Sequence, residues 1–471
     1  MSFYPKETLM TIESWLPALM GYLMPVGLFL LAWGGMPPRR ARRSATLGSL
    51  VLGLGTLGYF VVGFAFHLGG AGLMSDSPGL VGLTRLFAGE GGLEWGLLGL
   101  SGFFLGGDAA TPEALSLFFT YLPAVVSATL LSALSLAGRA RGWQVTLAGL
   151  LTSAVVFPLV ACWTWGGGWL SKLGSTLERG HGFVDYGGSG VIYLVGGCVA
   201  LGSLLGLRHR VPDDPSEGPE EMPPSHFPLL ANLGALLFGL GWLGWSLSSP
   251  FHSAGADVIV PRTAVNGLLG AAGAILASQL YCWFTTGGAD PLMSARGSAA
   301  GFVAVAAGAA FVPSWAALII GSVAGMLLPL AVYVEDRLLR LPDATATVAL
   351  GLTSGTWGLL AVALFADGRS GQGWNGVGLT EYHTILGQGV TGFLPAEGFI
   401  GDGRGQLIAQ LAGLGAIALT ALLISTSTFF GLSLADRDRA AEDHGPQLLQ
   451  WLKSLRGPSP FSPEQVPDTE T

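Results

Sequence analysis

Charge is scarce in this sequence. Asp, Glu, Lys and Arg make up 11% of its 471 residues, against roughly 25% in an average soluble domain. No basic face is present outside short arginine clusters, so nucleic-acid binding has no support. Cysteine is scarcer still. Cys162, Cys198 and Cys282 all lie inside apolar runs, which excludes a disulfide framework and a CxxC metal site. There is no P-loop, HExxH, GxSxG or dinucleotide fingerprint in a plausible context, so neither an enzyme nor a cofactor is expected. Histidine numbers seven: His67, His181, His209, His226, His252, His383 and His444. All fall at the ends of apolar runs, in loops or in the tail.

What is present in excess is apolar residues, at 50%, and 74 glycines. Glycine at that level without a collagen period suits closely packed transmembrane helices, where small residues let backbones approach. The chain reads as an all-α polytopic membrane protein. A helix crossing hydrocarbon needs about 20 apolar residues. That rule gives eleven candidate spans: 14–35, 44–66, 113–137, 142–163, 185–207, 227–248, 259–285, 294–312, 315–334, 343–366 and 405–433. The stretch 294–334 is too long for one crossing and is divided at Pro313. The first run carries Glu13 and no small-residue cleavage site, so it is expected to stay as a span.

Arginine placement orients the spans. Arg39, Arg40, Arg42 and Arg43, then Arg139 and Arg141, Arg208 and Arg210, Arg296, and Arg337 and Arg340 follow the odd-numbered spans. The opposite loops hold Asp76, Glu90, Glu94, Asp108 and Glu113. The positive-inside rule then places the N-terminus outside and the C-terminus in the cytoplasm of a cell-membrane protein. The net charge of −8 carries little about partners, because it resides in loops and tail. Residues 209–225 read as a Pro/acid-rich cytoplasmic linker and 434–471 as a polar tail with one amphipathic stretch, PQLLQWLKSL. The run LEWGLLGLSGFFLGG in the loop 67–110 is too broken to span.

Several motifs then fall in a consistent order. Asp185-Tyr186-Gly187-Gly188-Ser189-Gly190 opens the fifth span, preceded by WTWGGGWL at 163–170. MPVGLFLLAWGGM stands in the first span, GWLGWSLSS at 241–249, AVNG at 264–267, PSWAALIIGSVAG at 313–325 and ALFADG at 363–368. Together these resemble the ammonium transporter (Amt/Mep/Rh) family over nearly the whole chain. The resemblance implies eleven helices. A membrane domain 1–433 holds a first half (14–207) and a second half (227–366) as inverted five-helix repeats, then a long last helix (405–433), with 434–471 as cytoplasmic tail. It also implies a homotrimer with one pore per subunit, and a PII-type regulatory protein as a possible partner on the cytoplasmic face.

A pathway for ammonium must attract a cation, strip its water and pass it through apolar surroundings. By resemblance, Trp165 and Ser249 fall on the outer-vestibule tryptophan and serine, where ring faces and a hydroxyl suit a cation. The alternative for Trp165 is an interfacial anchor, and for Ser249 a cap or packing residue. Asp185 matches the family acid. As a carboxylate at the start of an apolar helix, it reads as a cap that also biases the vestibule toward cations. The family pore carries two histidines. This chain has Tyr193 at the first position and Gly351 at the second. Phe119 stands in the phenylalanine-gate segment, with Pro123 or Ala124 at the second gate position.

Tyr193 reads as a pore residue or as core packing with its hydroxyl on a neighbouring helix. Gly351 is expected to leave room for water opposite it. The function expected is a channel or transporter for ammonium, ammonia or a related small molecule. The alternative is a non-transporting ammonium sensor or scaffold that keeps the fold.

Overall fold

The computed structural model of the chain describes residues 12–75, 77–89, 92–137, 140–207, 226–248, 256–341, 343–369, 373–378 and 381–442. Among them, ten helical stretches are long and apolar enough to cross a membrane. They are Trp15–Gly34, Arg40–Leu73, Pro112–Leu134, Gly142–Leu177, Ser189–Leu207, His226–Ser248, Val260–Thr286, Ser314–Leu338, Thr347–Phe365 and Gly403–Leu434. An eleventh helix, Pro291–Ala306, has 16 residues and takes the eighth place in the sequence order. It is short because the chain unwinds after Ala306 and restarts at Ser314, behind Pro313, whose ring cannot continue a helix. The division of 294–334 at Pro313 is therefore what the structure has. The spans are numbered one to eleven in this order.

Two side chains hold the break open. Asn266 of the AVNG stretch donates through Nδ2 to the carbonyls of Ala309 and Val312, each at 2.8 Å. Arg262 donates through Nε to the Val312 carbonyl at 2.9 Å and pairs with Asp367 at 2.6 Å. Asp367 belongs to the ALFADG stretch after span ten. Two motifs noted in the sequence thus meet at one joint, where they satisfy carbonyls that the broken helix leaves without internal donors.

Spans one and six lie antiparallel in backbone contact. A β-carbon on Gly27 would strike the backbone of Phe238, one on Gly241 the backbone of Met24, and one on Gly234 the amide of Leu31. Gly244 faces Gly21 in the same way, with 2.6 Å to its amide nitrogen. Spans five and ten cross similarly through Gly197, Gly351 and Gly355. Each of these two spans contains a π-helical turn, Ser189–Leu194 in one and Leu350–Ser354 in the other.

The segment between spans two and three folds as short turns and an antiparallel pair of strands, Leu86–Ala88 with Gly96–Gly99. It does not span, as its broken apolar run foretold. The last helix continues to Glu442, well past the expected end of span eleven. Ser249, the linker 209–225, the loop acids Asp76 and Glu90, the arginines Arg139, Arg208 and Arg210, and the tail stretch PQLLQWLKSL lie outside the described residues.

The glycine seam gives a test of the fold. Gly241→Leu should abolish a monodisperse peak in detergent size-exclusion chromatography. Gly431→Ala, where nothing lies within 4 Å of the added carbon, should leave the elution profile unchanged.

Candidate functional site

The DYGGSG stretch fixes the geometry at the end of the bundle that carries the long loops. Gly188 takes φ of +89°, a left-handed turn that favours glycine, and the helix begins at the next residue. Asp185, fully buried, reaches forward to that helix. Its Oδ2 accepts from the amides of Gly190 at 3.0 Å and Val191 at 2.8 Å. A carboxylate there satisfies orphan donors and faces the positive end of the helix dipole. The carboxylate spends this oxygen on its own helix, as a capping residue does.

The same arrangement recurs at the other end. Asp343 precedes span ten, accepts from the Thr345 amide at 2.9 Å through Oδ1 and from the Val348 amide at 3.0 Å through Oδ2. In both cases one of the two capped amides is five residues on, and the position eight residues on is Tyr193 or Gly351. The sequence reading missed Asp343. The signal was there: an Asp eight residues ahead of Gly351, as Asp185 is ahead of Tyr193.

Above span five the loop is gripped by aromatic side chains. Trp165 donates its indole N–H to the Asp185 carbonyl at 2.9 Å, Trp245 donates to the Gly187 carbonyl at 3.1 Å, and Tyr186 donates to the Ser246 carbonyl at 2.8 Å. The rings of Trp165, Trp245 and Tyr121 then form a triangle, with each centroid pair 5.8 Å apart. All three rings are buried. Such faces carry partial negative charge and attract small cations. Trp165 and Asp185 are thus brought together by the structure.

Phe119 is not brought there. Two residues along a helix turn a side chain by roughly 200°, so Phe119 and Tyr121 point apart. Phe119 packs on Trp15 and Tyr22, at 5.1 and 5.0 Å between centroids. Tyr121 takes the place beside Trp165.

Tyr193 is fully buried. Its hydroxyl lies 3.1 Å from the Met24 sulfur on span one, and its ring meets Phe238 of span six edge-on at 6.0 Å. Gly351 does not open a gap, contrary to expectation. A β-carbon there would strike the Tyr193 carbonyl and lie 2.9 Å from the Gly197 Cα. The reason is that spans five and ten touch through their backbones at this level. There is accordingly no room for a ring at 351 without moving a helix.

Two histidines that the sequence placed at span ends or in loops are fully buried: His67 and His181. His67 lies in the last α-helical turn of span two, Phe64–Leu68, and stands 4.7 Å from Tyr121 and 6.3 Å from Trp165, ring to ring. His181 lies under the hairpin Glu381–Tyr382 and Ile385–Leu386, 4.2 Å from the Tyr382 ring. Burial, aided by nearby His383, pushes the His181 imidazole down to about 3 from its ordinary value. Among the described residues no group of three or more His, Cys, Asp or Glu side chains is placed to hold a metal ion.

Against this geometry stand the comparisons with known proteins. The sequence profile of the Ammonium Transporter Family matches residues 15–444. The chain belongs to the ammonium transporter family. It is a multi-pass membrane protein of a family of transporters rather than enzymes. The ammonium transporter Amt2 of Archaeoglobus fulgidus is 32% identical over 324 residues, which cover 68% of this chain and 63% of that protein, just under two thirds of its length. The ammonium transporter Amt2 of Haloferax mediterranei is 24% identical over 459 residues, covering 96% of this chain and 89% of that protein. Among solved structures, a sensor Amt protein superposes with a TM-score of 0.68 at 22% identity, covering 90% of this chain and 92% of that one. Candida albicans Mep2 gives 0.65 at 21% identity, over 90% and 85% of the two chains. At such identities these two likenesses speak for the fold alone.

Two predictions come from the caps and the buried histidine. Asp185→Ala and Asp343→Ala should each cost about 1 kcal/mol or more of stability, read as a lower melting temperature in detergent, with Asn at either position retaining part of it. His181 resists protonation when folded, down to about 3, whereas its unfolded form takes a proton near 6.5. The unfolded state therefore binds more protons in that window, and stability should fall as pH drops below about 6.5. His181→Phe should flatten that part of a melting-temperature profile against pH.

Proposed function

We propose that this protein carries ammonium or ammonia across the membrane, with recruitment at the aromatic cluster of Trp165, Tyr121 and Trp245. The observation that supports the reading most is that both indole N–H groups are spent on the DYGGSG loop. The three rings are left in mutual tilted contact with centroids 5.8 Å apart, a gathering of π-systems that attracts a small cation. The names of the Archaeoglobus and Haloferax relatives point to the same substrate. Asp185 acts by shaping span five and adding negative potential, while Ser249 supplies a hydroxyl at the end of span six.

In this reading the mid-membrane pair of imidazoles is absent, with Tyr193 and Gly351 in their places. The two halves, 14–207 and 227–366, act as inverted repeats with the pathway at their interface. The helix 405–433 closes the outside of the domain, and 434–471 is the cytoplasmic tail. The N-terminus lies outside, three subunits assemble, and a PII-type protein docks on the cytoplasmic face.

A second reading is favoured by one observation. Tyr193 is held against Met24 and Phe238, and the space beside Gly351 is closed by backbone. A centre filled in this way suits a chain that binds ammonium outside and signals without passing it.

Proteoliposomes separate the two. An inward ammonium gradient should produce alkalinisation or current well above that of empty vesicles, and Trp165→Leu should raise the half-saturating concentration while leaving folding intact. Ammonium binding without any flux would establish the sensor reading instead.

A further inference from the structure

We infer that His67 is a further substrate-binding residue: its Nε2 atom hydrogen-bonds the nitrogen of ammonium or ammonia inside the aromatic cluster. This rests on the ammonium reading above and adds a specific atom to it. His67 lies in the last α-helical turn of span two, and its ring is fully buried. It stands edge-on to Tyr121 at 4.7 Å, with Phe157 at 6.1 Å and Trp165 at 6.3 Å. Nδ1 is held by the Tyr59 hydroxyl at 2.9 Å. Nε2 is buried and has no hydrogen-bond partner among the described residues.

A buried imidazole nitrogen without a partner costs stability that a leucine of similar size would not. That cost is sustained here beside the rings best placed to attract a cation. Those rings alone do not distinguish ammonium from potassium, since a quadrupole responds to charge and not to N–H bonds. An imidazole does distinguish them. When Tyr59 accepts from Nδ1–H, Nε2 presents its lone pair to an ammonium N–H. When Tyr59 donates to Nδ1, Nε2–H donates to the lone pair of ammonia. One atom thus serves both forms of the substrate, and potassium has no hydrogen to offer it. Trp165 and Trp245 do not compete as donors, because their indole N–H groups are already committed to loop carbonyls.

The test is ammonium binding by calorimetry on the intact detergent-solubilised chain, with potassium chloride as control, alongside flux in proteoliposomes. His67→Leu and His67→Gln are compared with wild type. His67→Leu should weaken ammonium binding by about tenfold or more, the order of one lost hydrogen bond to a charged group, and lower the preference over potassium. The leucine also removes the bond between the Tyr59 hydroxyl and Nδ1, so the variant's melting temperature should fall on structural grounds. The deciding readout is the preference for ammonium over potassium, which that loss alone would not move. His67→Gln keeps an acceptor on a longer, unanchored arm and should fall between the two. It decides the matter if the leucine variant does not fold. Wild-type affinity and wild-type ammonium preference in the variants would overturn the inference. His67-dependent binding in a chain that shows no flux would remove the transport reading and leave the site. Flux with His67-independent affinity would do the reverse.

Discussion

Everything in this molecule depends on how closely its helices can approach. In hydrocarbon there is no hydrophobic force to drive helices together, so contact between backbones supplies much of the attraction. Spans one and six meet through Gly21, Gly27, Gly234, Gly241 and Gly244, and spans five and ten through Gly197, Gly351 and Gly355. These two antiparallel crossings leave the tyrosine at 193 bracketed by Met24 and Phe238, one from each helix of the other crossing. The abundance of glycine in the sequence is thus the cause of the filled centre, and not only of the compact bundle.

A second constraint is the need to satisfy backbone groups wherever a helix starts or stops within the membrane domain. The chain meets it with Asp185 and Asp343 at the starts of spans five and ten, and with Asn266 and Arg262 at the break before Pro313. The same loop that Asp185 anchors receives the N–H groups of Trp165 and Trp245. Capping and the aromatic cluster are therefore one construction. Disturbing the cap would move the rings.

Much of this was legible in the sequence, because hydropathy carries the spans directly. Pro313 announced its break, and the DYGGSG stretch announced its turn. What was not legible depends on side-chain direction and on distance between crossing helices. Phe119 and Tyr121 are near neighbours in sequence, yet opposite sides of a helix separate them. Gly351 looked like empty space, but the absence of a side chain says nothing about how near the next backbone lies. His67 stood one residue beyond the expected end of span two. Nothing in composition distinguishes a histidine at a wet helix end from one folded inward among rings.

The backbone contact at Gly351 also bears on how this chain can change over generations. Every single-nucleotide change at that codon that alters the residue places a β-carbon against the Tyr193 carbonyl. Each such step is unfavourable by itself, whatever chemistry the new side chain would bring. A lineage that has settled into this packing is held there as by a ratchet. Leaving it requires a helix displacement first and a new residue second, so the glycine should persist through long drift even if the pathway beside it lost its use.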